Sequence, residues 1–223
     1  FDHFVVLFVG FSHNDPIINY LGMGLPSSTR RYILTDLADD QRWKRLRITP
    51  VAYPPDNNHA AATRAMQEWG RRASMGRLEH SARIRDIVQG GPPKSPVEID
   101  YLAQMLEDPQ GAREFADIAS GVEWLNWLEQ FEIFSSHFKS QPTTAANASF
   151  SEASAVLAHW FCDTYIANPS HQGAAFDLIQ RTGQQVSRQL AAAAPWAVRR
   201  LAEKDAIAAH RWTVLLTTSI SEN

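Results

Sequence analysis

Gly10, Phe11 and Ser12 stand directly after the apolar run from Phe4 to Val9 and just ahead of Asp15-Pro16. Each residue type has a chemical use in that place. A glycine lets the backbone come close to a ligand, a serine hydroxyl donates or accepts, and the free amides at the start of a following helix favour phosphate. A loop at the carboxyl end of a parallel strand, leading into a helix, is where α/β folds bind nucleotides. On spacing alone two readings stay open: a nucleotide loop, and a plain tight connection. Asp15 has a sufficient local role as the cap of the next helix, with Pro16 at its first position. Elsewhere, His159 and Cys162 are three apart and share a helical face, but a zinc site takes about four ligands and Cys162 is the only cysteine. A buried thiol is the expectation there. The arginines at 64, 71, 72, 77, 83 and 85 are interleaved with Glu68, Glu79 and Asp86, as on a solvated helix face or a protein contact.

The elements that must carry these residues follow from periodicity. The continuous apolar run at 4 to 9 reads as a strand buried on both faces of a parallel sheet. A helix after Pro16, a strand at Arg31 to Thr35, a helical segment around Asp36 to Arg45 and a strand at Ile48 to Tyr53 follow. Pro54 to Asn57 then break the chain. Ala62, Ala65, Met66, Trp69 and Ala73 fall on one face of a further helix. The alternation marks an α/β segment. Gly90-Gly91-Pro92-Pro93-Lys94-Ser95-Pro96 cannot continue a helix or a central strand, so residues 1–89, 90–96 and 97–223 are expected to be an α/β part, a linker and an all-α helical domain. Ser95 and Glu98 have the spacing of a capping box. Trp124, Trp127, Leu128, Phe131 and Phe134 recur at helical spacing, and helices are expected near 151–167, 172–192 and 196–216. Large aromatic side chains on those stripes, including Trp160, Trp196 and Trp212, are expected to fill the core. Gln141 to Ser149 reads as a polar interruption, and its Asn147-Ala148-Ser149 as a loop.

Composition narrows the function classes. The 223 residues are 44% hydrophobic and 20% charged, with a mean hydropathy of −0.29, which is globular and neither disordered nor fibrous. A net charge of −3 supplies no global cationic field, so nucleic acid is not an expected partner. No apolar run reaches the roughly 18 to 20 residues of a membrane helix, so no membrane partner is expected, and a single thiol suits a reducing cytoplasm. The chain opens at Phe1 almost directly into a strand pattern, from which further residues are expected ahead of it in a parent protein.

The string Val6-Leu7-Phe8-Val9-Gly10-Phe11-Ser12-His13-Asn14-Asp15-Pro16 resembles the glycine-x-serine segment near the end of bacterial SIR2-like domains. Arg31 to Thr35 resembles their next strand, and Ile48 to Pro54 their last, followed by a helix carrying a tryptophan, here Trp69. The resemblance covers roughly the first 75 residues. It implies a partial Rossmann-like parallel sheet that binds NAD, in a parent protein that hydrolyses NAD to nicotinamide and ADP-ribose in bacterial anti-phage defence. It carries Gly10, Phe11 and Ser12 over as NAD-binding positions. The family's glycine-rich pyrophosphate loop and its catalytic Asn and His have no counterpart here; they would precede Phe1, and neither His3 nor His13 matches the catalytic histidine. This chain is therefore assigned no catalytic residue and no metal. The helical domain is expected to form a homo-oligomer or hold a protein partner. The competing reading is a non-enzymatic helical assembly module beside a degenerate Rossmann-like half.

Overall fold

The computed structural model describes residues 5–10, 15–26, 28–56, 59–139, 148–182 and 186–220. The chain divides into two compact units, Phe1–Met75 and Gly76–Asn223.

The first unit alternates strand and helix: β1 (Val5–Phe8), α1 (Pro16–Gly24), β2 (Arg30–Thr35), α2 (Gln41–Leu46), β3 (Thr49–Ala52) and α3 (Ala60–Ser74). The strands form a parallel sheet in the order β1-β2-β3, with Phe8 opposite Ile33 and Ile33 opposite Pro50. Parallel strands need a crossover, and α1 and α2 supply them. Side chains alternate between faces, so Val6, Phe8, Ile33 and Ile48 fall on one side, where they pack with Ile18, Trp43 and Leu46 of the two crossover helices. The opposite face of β1 is open, with Val5 61% and Leu7 37% exposed. The both-face burial read from the apolar run is therefore corrected. β1 lies at the edge of the three strands, and the crossover helices' core residues meet only one of its faces.

Local chemistry sets the ends of these elements. Asp15 caps α1 by accepting from the Ile17 amide at 2.9 Å, and Pro16 occupies the first turn. Replacing Asp15 by alanine is expected to destabilise the first unit by about 0.5 to 2 kcal/mol, read as a lowered midpoint in denaturant titration. A side-chain clamp on both crossover helices comes from Arg31, only 4% exposed. Its Nη1 donates to the carbonyls of Gly22 (2.6 Å) and Leu46 (3.2 Å), and its Nη2 to those of Leu25 (2.8 Å) and Pro26. One guanidinium thus collects the carbonyls that α1 and α2 leave over at their C-terminal ends, where the helix dipoles favour a cation.

The second unit is helical: α4 (Arg77–Gln89), α5 (Pro96–Leu106), α6 (Pro109–Ala116), α7 (Glu123–Gln130), α8 (Ile133–Phe138), α9 (Ala148–Phe161), α10 (Gln172–Thr182), α11 (Arg188–Ala202) and α12 (Ala206–Ile220). Ile84 and Val88 of α4 belong to the helical core, so α4 folds with this unit although it precedes the Gly-Pro segment. That segment turns the chain with Gly91 at φ 86°. Ser95 starts α5 through its backbone carbonyl, which accepts from Glu98 and Ile99, and its hydroxyl makes no cap bond; the expected capping box is absent there. At Gly76 only the second half of such a box forms: the amide donates to Glu79 Oε2 at 2.7 Å, and glycine has no side chain to return a bond.

Phe115, Trp124, Trp127, Leu128, Trp160, Tyr165 and Trp212 lie in one apolar core. Phe115 takes an edge-on ring contact from both Trp124 and Trp160, and Trp160 Nε1 donates to the Ala119 carbonyl at 2.8 Å, which satisfies its one polar atom. Gly111 is required where α6 passes the end of α5, because a Cβ there would sit 2.1 Å from the Met105 carbonyl oxygen. Trp196 departs from the expected core role: it is 53% exposed, with the Arg200 guanidinium stacked 4.6 Å from its ring centroid. The stretch 172–192 holds parts of two helices, α10 and α11, and α11 continues through Pro195. α9 ends in a single wide π turn, Cys162–Ile166, in which the Ala167 amide reaches back five residues to the Cys162 carbonyl. Most of the polar interruption, residues 140–147, lies outside the described residues. Among the described residues, no helix is long and apolar enough to cross a membrane.

Candidate functional site

A cleft of about 780 Å³ opens at the carboxyl edge of the sheet, within the first unit and in the size range of small-molecule sites. All three strands deliver residues to it. Val9 and Gly10 follow β1, Leu34 to Asp36 end β2, Tyr53 follows β3, and α3 closes the side with Ala62, Thr63 and Met66. The sheet is parallel, so its carboxyl ends all point the same way and their following loops gather at one edge. Leu34 stands one residue beyond Ile33 and so on the other face, the one that the α1 and α2 core leaves free.

Gly10 has φ 75°, a backbone conformation that favours glycine, and among the described residues nothing lies within 4 Å of where its Cβ would be. The residue thus turns the chain out of β1 and leaves open space beside the cleft. Phe11 and Ser12, like His3 and His13, lie outside the described residues, so of the three positions that the resemblance singles out Gly10 is the one that lines the cleft.

Sequence reasoning missed the polar residues that gather opposite Gly10. Thr35 Oγ1 accepts from the Leu37 amide at 3.0 Å, which fixes the turn after β2 and sets Asp36 at the rim. The Tyr53 hydroxyl and His59 Nδ1 share a hydrogen bond of 2.7 Å, with the two rings edge to face. His59 holds φ 59° at the start of α3, a left-handed conformation that is uncommon for a residue with a side chain. The Tyr53 phenol is raised above its usual range, first by burial and then by the negative charges of Asp36 and Asp56. Asp56 itself is held below the ordinary carboxylate range, chiefly by the Ala61 amide and also by Arg64, which lies 2.7 Å away. Among the described lining residues Asp36 is the sole carboxylate, and there is no lysine or arginine. The signal that could have found it is positional: Asp36 is the first residue beyond a strand of a parallel sheet.

The remaining candidates fall to structural roles. Cys162 is buried, with burial pushing its thiol up to about 12, while His159 is exposed, so the two do not form a site. Among the described residues no group of three or more His, Cys, Asp or Glu could hold a metal. Of the arginines in the local basic stretch, Arg71 and Arg72 pair with Glu68, Arg85 with Glu114, and Arg83 lies over the Tyr101 ring. These pairings suit a solvated helix face better than a phosphate-binding one.

Fold and cleft define a parallel α/β unit with a ligand-sized site at its carboxyl edge, followed in the chain by a helical unit. No family model, curated protein or solved structure matches the chain.

Proposed function

We propose that the first unit is the C-terminal part of a Rossmann-like, SIR2-like domain that binds NAD. We further propose that the parent protein hydrolyses NAD to nicotinamide and ADP-ribose in bacterial anti-phage defence. The observation that carries this reading is the cleft at the carboxyl edge of the parallel sheet, with Gly10 at positive φ on its rim. The resemblance of the Gly10-Phe11-Ser12 loop and of the strands after it supports the choice of ligand. In the hydrolysis, water adds to the ribose C1′ as the bond to the nicotinamide nitrogen breaks, and the water loses a proton. The residues of this chain hold the nucleotide; bond cleavage is assigned to groups outside it. The helical unit serves a homo-oligomer or a protein partner, a role to which exposed Trp196, with Arg200 stacked on it, is suited.

The test uses the full-length protein, incubated with NAD while nicotinamide release is followed by chromatography. Gly10→Val forces a branched side chain onto a φ of 75°, and Ser12→Ala removes the loop hydroxyl. Each is expected to cut release by about tenfold or more, since one lost charge-assisted contact is worth about 1.5 to 3 kcal/mol. Folding is checked by circular dichroism. Absence of release, together with absence of NAD binding by calorimetry, would sink the reading and favour the helical assembly module.

A further inference from the structure

We propose that the amino edge of the parallel sheet, at the other end of the strands from the cleft, docks the phosphodiester backbone of a nucleic acid through Arg30, Lys44, Arg45 and Arg47. The proposal is independent of what the cleft binds. Strand and helix alternate in the first unit, so the end of α2 and the residues that lead into β2 and β3 all arrive at this edge. Tyr32 pairs with Thr49, and two residues ahead of each stand Arg30 and Arg47. Lys44 and Arg45 lie in the last turn of α2. All four are exposed. The stretch Arg42-Trp43-Lys44-Arg45-Leu46-Arg47 has the density of cations that marks nucleic-acid patches.

A cation in the last turn of a helix ordinarily serves the helix dipole. Here buried Arg31 performs that service by taking the carbonyls of Gly22, Leu25, Pro26 and Leu46, so the four outer cations are in excess of it. Arg42 and Arg64 are paired with Asp40 and Asp56, whereas among the described residues none of the four has an ion pair. Like charges on adjoining segments of a sheet repel, and an anion laid across them relieves that repulsion. Arg47 also holds φ 55°, the position after a helix that glycine or asparagine ordinarily fills. A side chain kept there against the local preference points to a use for its charge. The acids lie at the other edge, with Asp36, Asp39 and Asp40 after β2 and Asp56 after β3, so the net charge of −3 is no guide to the local field at the amino edge. Guanidinium forks match phosphate oxygens in pairs, and exposed Ser28 and Thr49 bring hydroxyls to the same edge. Protein-docking surfaces are depleted of charge at their centre, while a surface led by cations matches the make-up of nucleic-acid interfaces.

Fluorescence anisotropy of the full-length protein with labelled 20-nucleotide DNA duplex, single-stranded DNA and RNA tests this over a range of salt. Wild type is expected to bind with a dissociation constant on the order of micromolar at low salt, and on the duplex log K should fall with log salt at a slope of about −3 to −4, as four phosphate contacts require. Lys44→Ala with Arg45→Ala should make that slope shallower by about 2 and weaken binding about tenfold or more. Arg47→Gly should weaken binding while melting no lower than wild type, since glycine suits the backbone there, an outcome that a merely structural arginine would not give. Arg64→Ala, which removes an exposed cation elsewhere in the unit, should leave binding unchanged. Absence of binding at low salt, or binding that survives in the folded Lys44/Arg45 variant, would overturn the proposal. Displacement by polyglutamate as effective as by an oligonucleotide of matched charge would overturn it in favour of an acidic protein surface.

Discussion

Arg31→Leu is expected to unfold the α/β unit and to leave the helical unit folded. The substitution removes the guanidinium donors to four carbonyls, those of Gly22, Leu25, Pro26 and Leu46; the Pro26 carbonyl keeps the Thr29 amide, while those of buried Gly22 and Leu46 lose the Arg31 donor inside the unit. A hydrogen bond from a charged donor contributes about 1.5 to 3 kcal/mol, and an orphaned buried acceptor costs about 1 to 3 kcal/mol, so a loss of about 3 kcal/mol or more is expected even with relaxation. The apolar core of the unit is small, built around Phe8, Ile18, Ile33, Trp43, Leu46 and Ile48, and a loss of that size is a large part of what so few residues provide. Arg31→Lys should recover little, because an ammonium on a flexible stem lacks the planar fork that reaches two helix ends at once. Thermal unfolding followed by tryptophan fluorescence and far-ultraviolet dichroism gives the readout, with Trp43 buried in the affected unit. A variant whose early transition matches wild type would show that the clamp carries no weight.

The helical unit has its own large expected effect, in mild acid. His137 is 2% exposed, its Nδ1 is 2.8 Å from the Ser154 hydroxyl, and its ring stacks on Phe150 at 4.6 Å. Burial pushes its pKa down to about 4. In the unfolded chain the ring titrates near the ordinary value of about 6.5. Above that pH both states are neutral and the full stability is present. As the pH falls below about 6.5 the unfolded chain takes up a proton that the native state refuses, so stability drops until the pH passes the native value near 4. The difference of about 2.5 in pKa amounts to about 3 kcal/mol. Denaturant midpoints of the helical unit are therefore expected to decline between pH 6.5 and 4, and His137→Phe, which keeps an aromatic ring against Phe150, should flatten that decline. An unchanged slope in the variant would place the acid sensitivity elsewhere.

What the sequence made legible was local, and what it hid was not. Asp15-Pro16 gives a helix start through contacts two residues apart, and the observed cap repeats that arithmetic. The strands at 31–35 and 48–53 were also readable, because a short apolar run and, after the second, the break at Pro54-Pro55 act over a few residues. The run at β1 gives no sign of how many layers will cover it, so an edge strand with one open face looks the same as a central one. Trp196 sits on the same kind of apolar stripe as Trp212, and its exposure depends on which helices pack beside α11. The clamp at Arg31 spans 5 to 15 residues of sequence, beyond the reach of any periodicity. Of the candidate site, residue types singled out Gly10, which lines the cleft, while Asp36, Tyr53 and His59 come together only when three strands end at one edge.

The wide turn at Cys162–Ile166 rotates the end of its helix relative to the turns before it. A helix of ordinary pitch advances about 100° per residue, so spending one extra residue in a single turn shifts the angular phase of every later side chain by about that amount. Cys162, Tyr165 and Ile166 are all buried, and the Tyr165 hydroxyl meets the Gly121 carbonyl at 2.9 Å. The turn acts as a vernier: it re-indexes the end of a long helix so that a second set of side chains finds the core after the first has rotated past it. Among the carbonyls displaced by the widened pitch, that of Thr164 lies 3.2 Å from His171 Nδ1, so a side chain beyond the helix takes up the slack that the re-indexing creates.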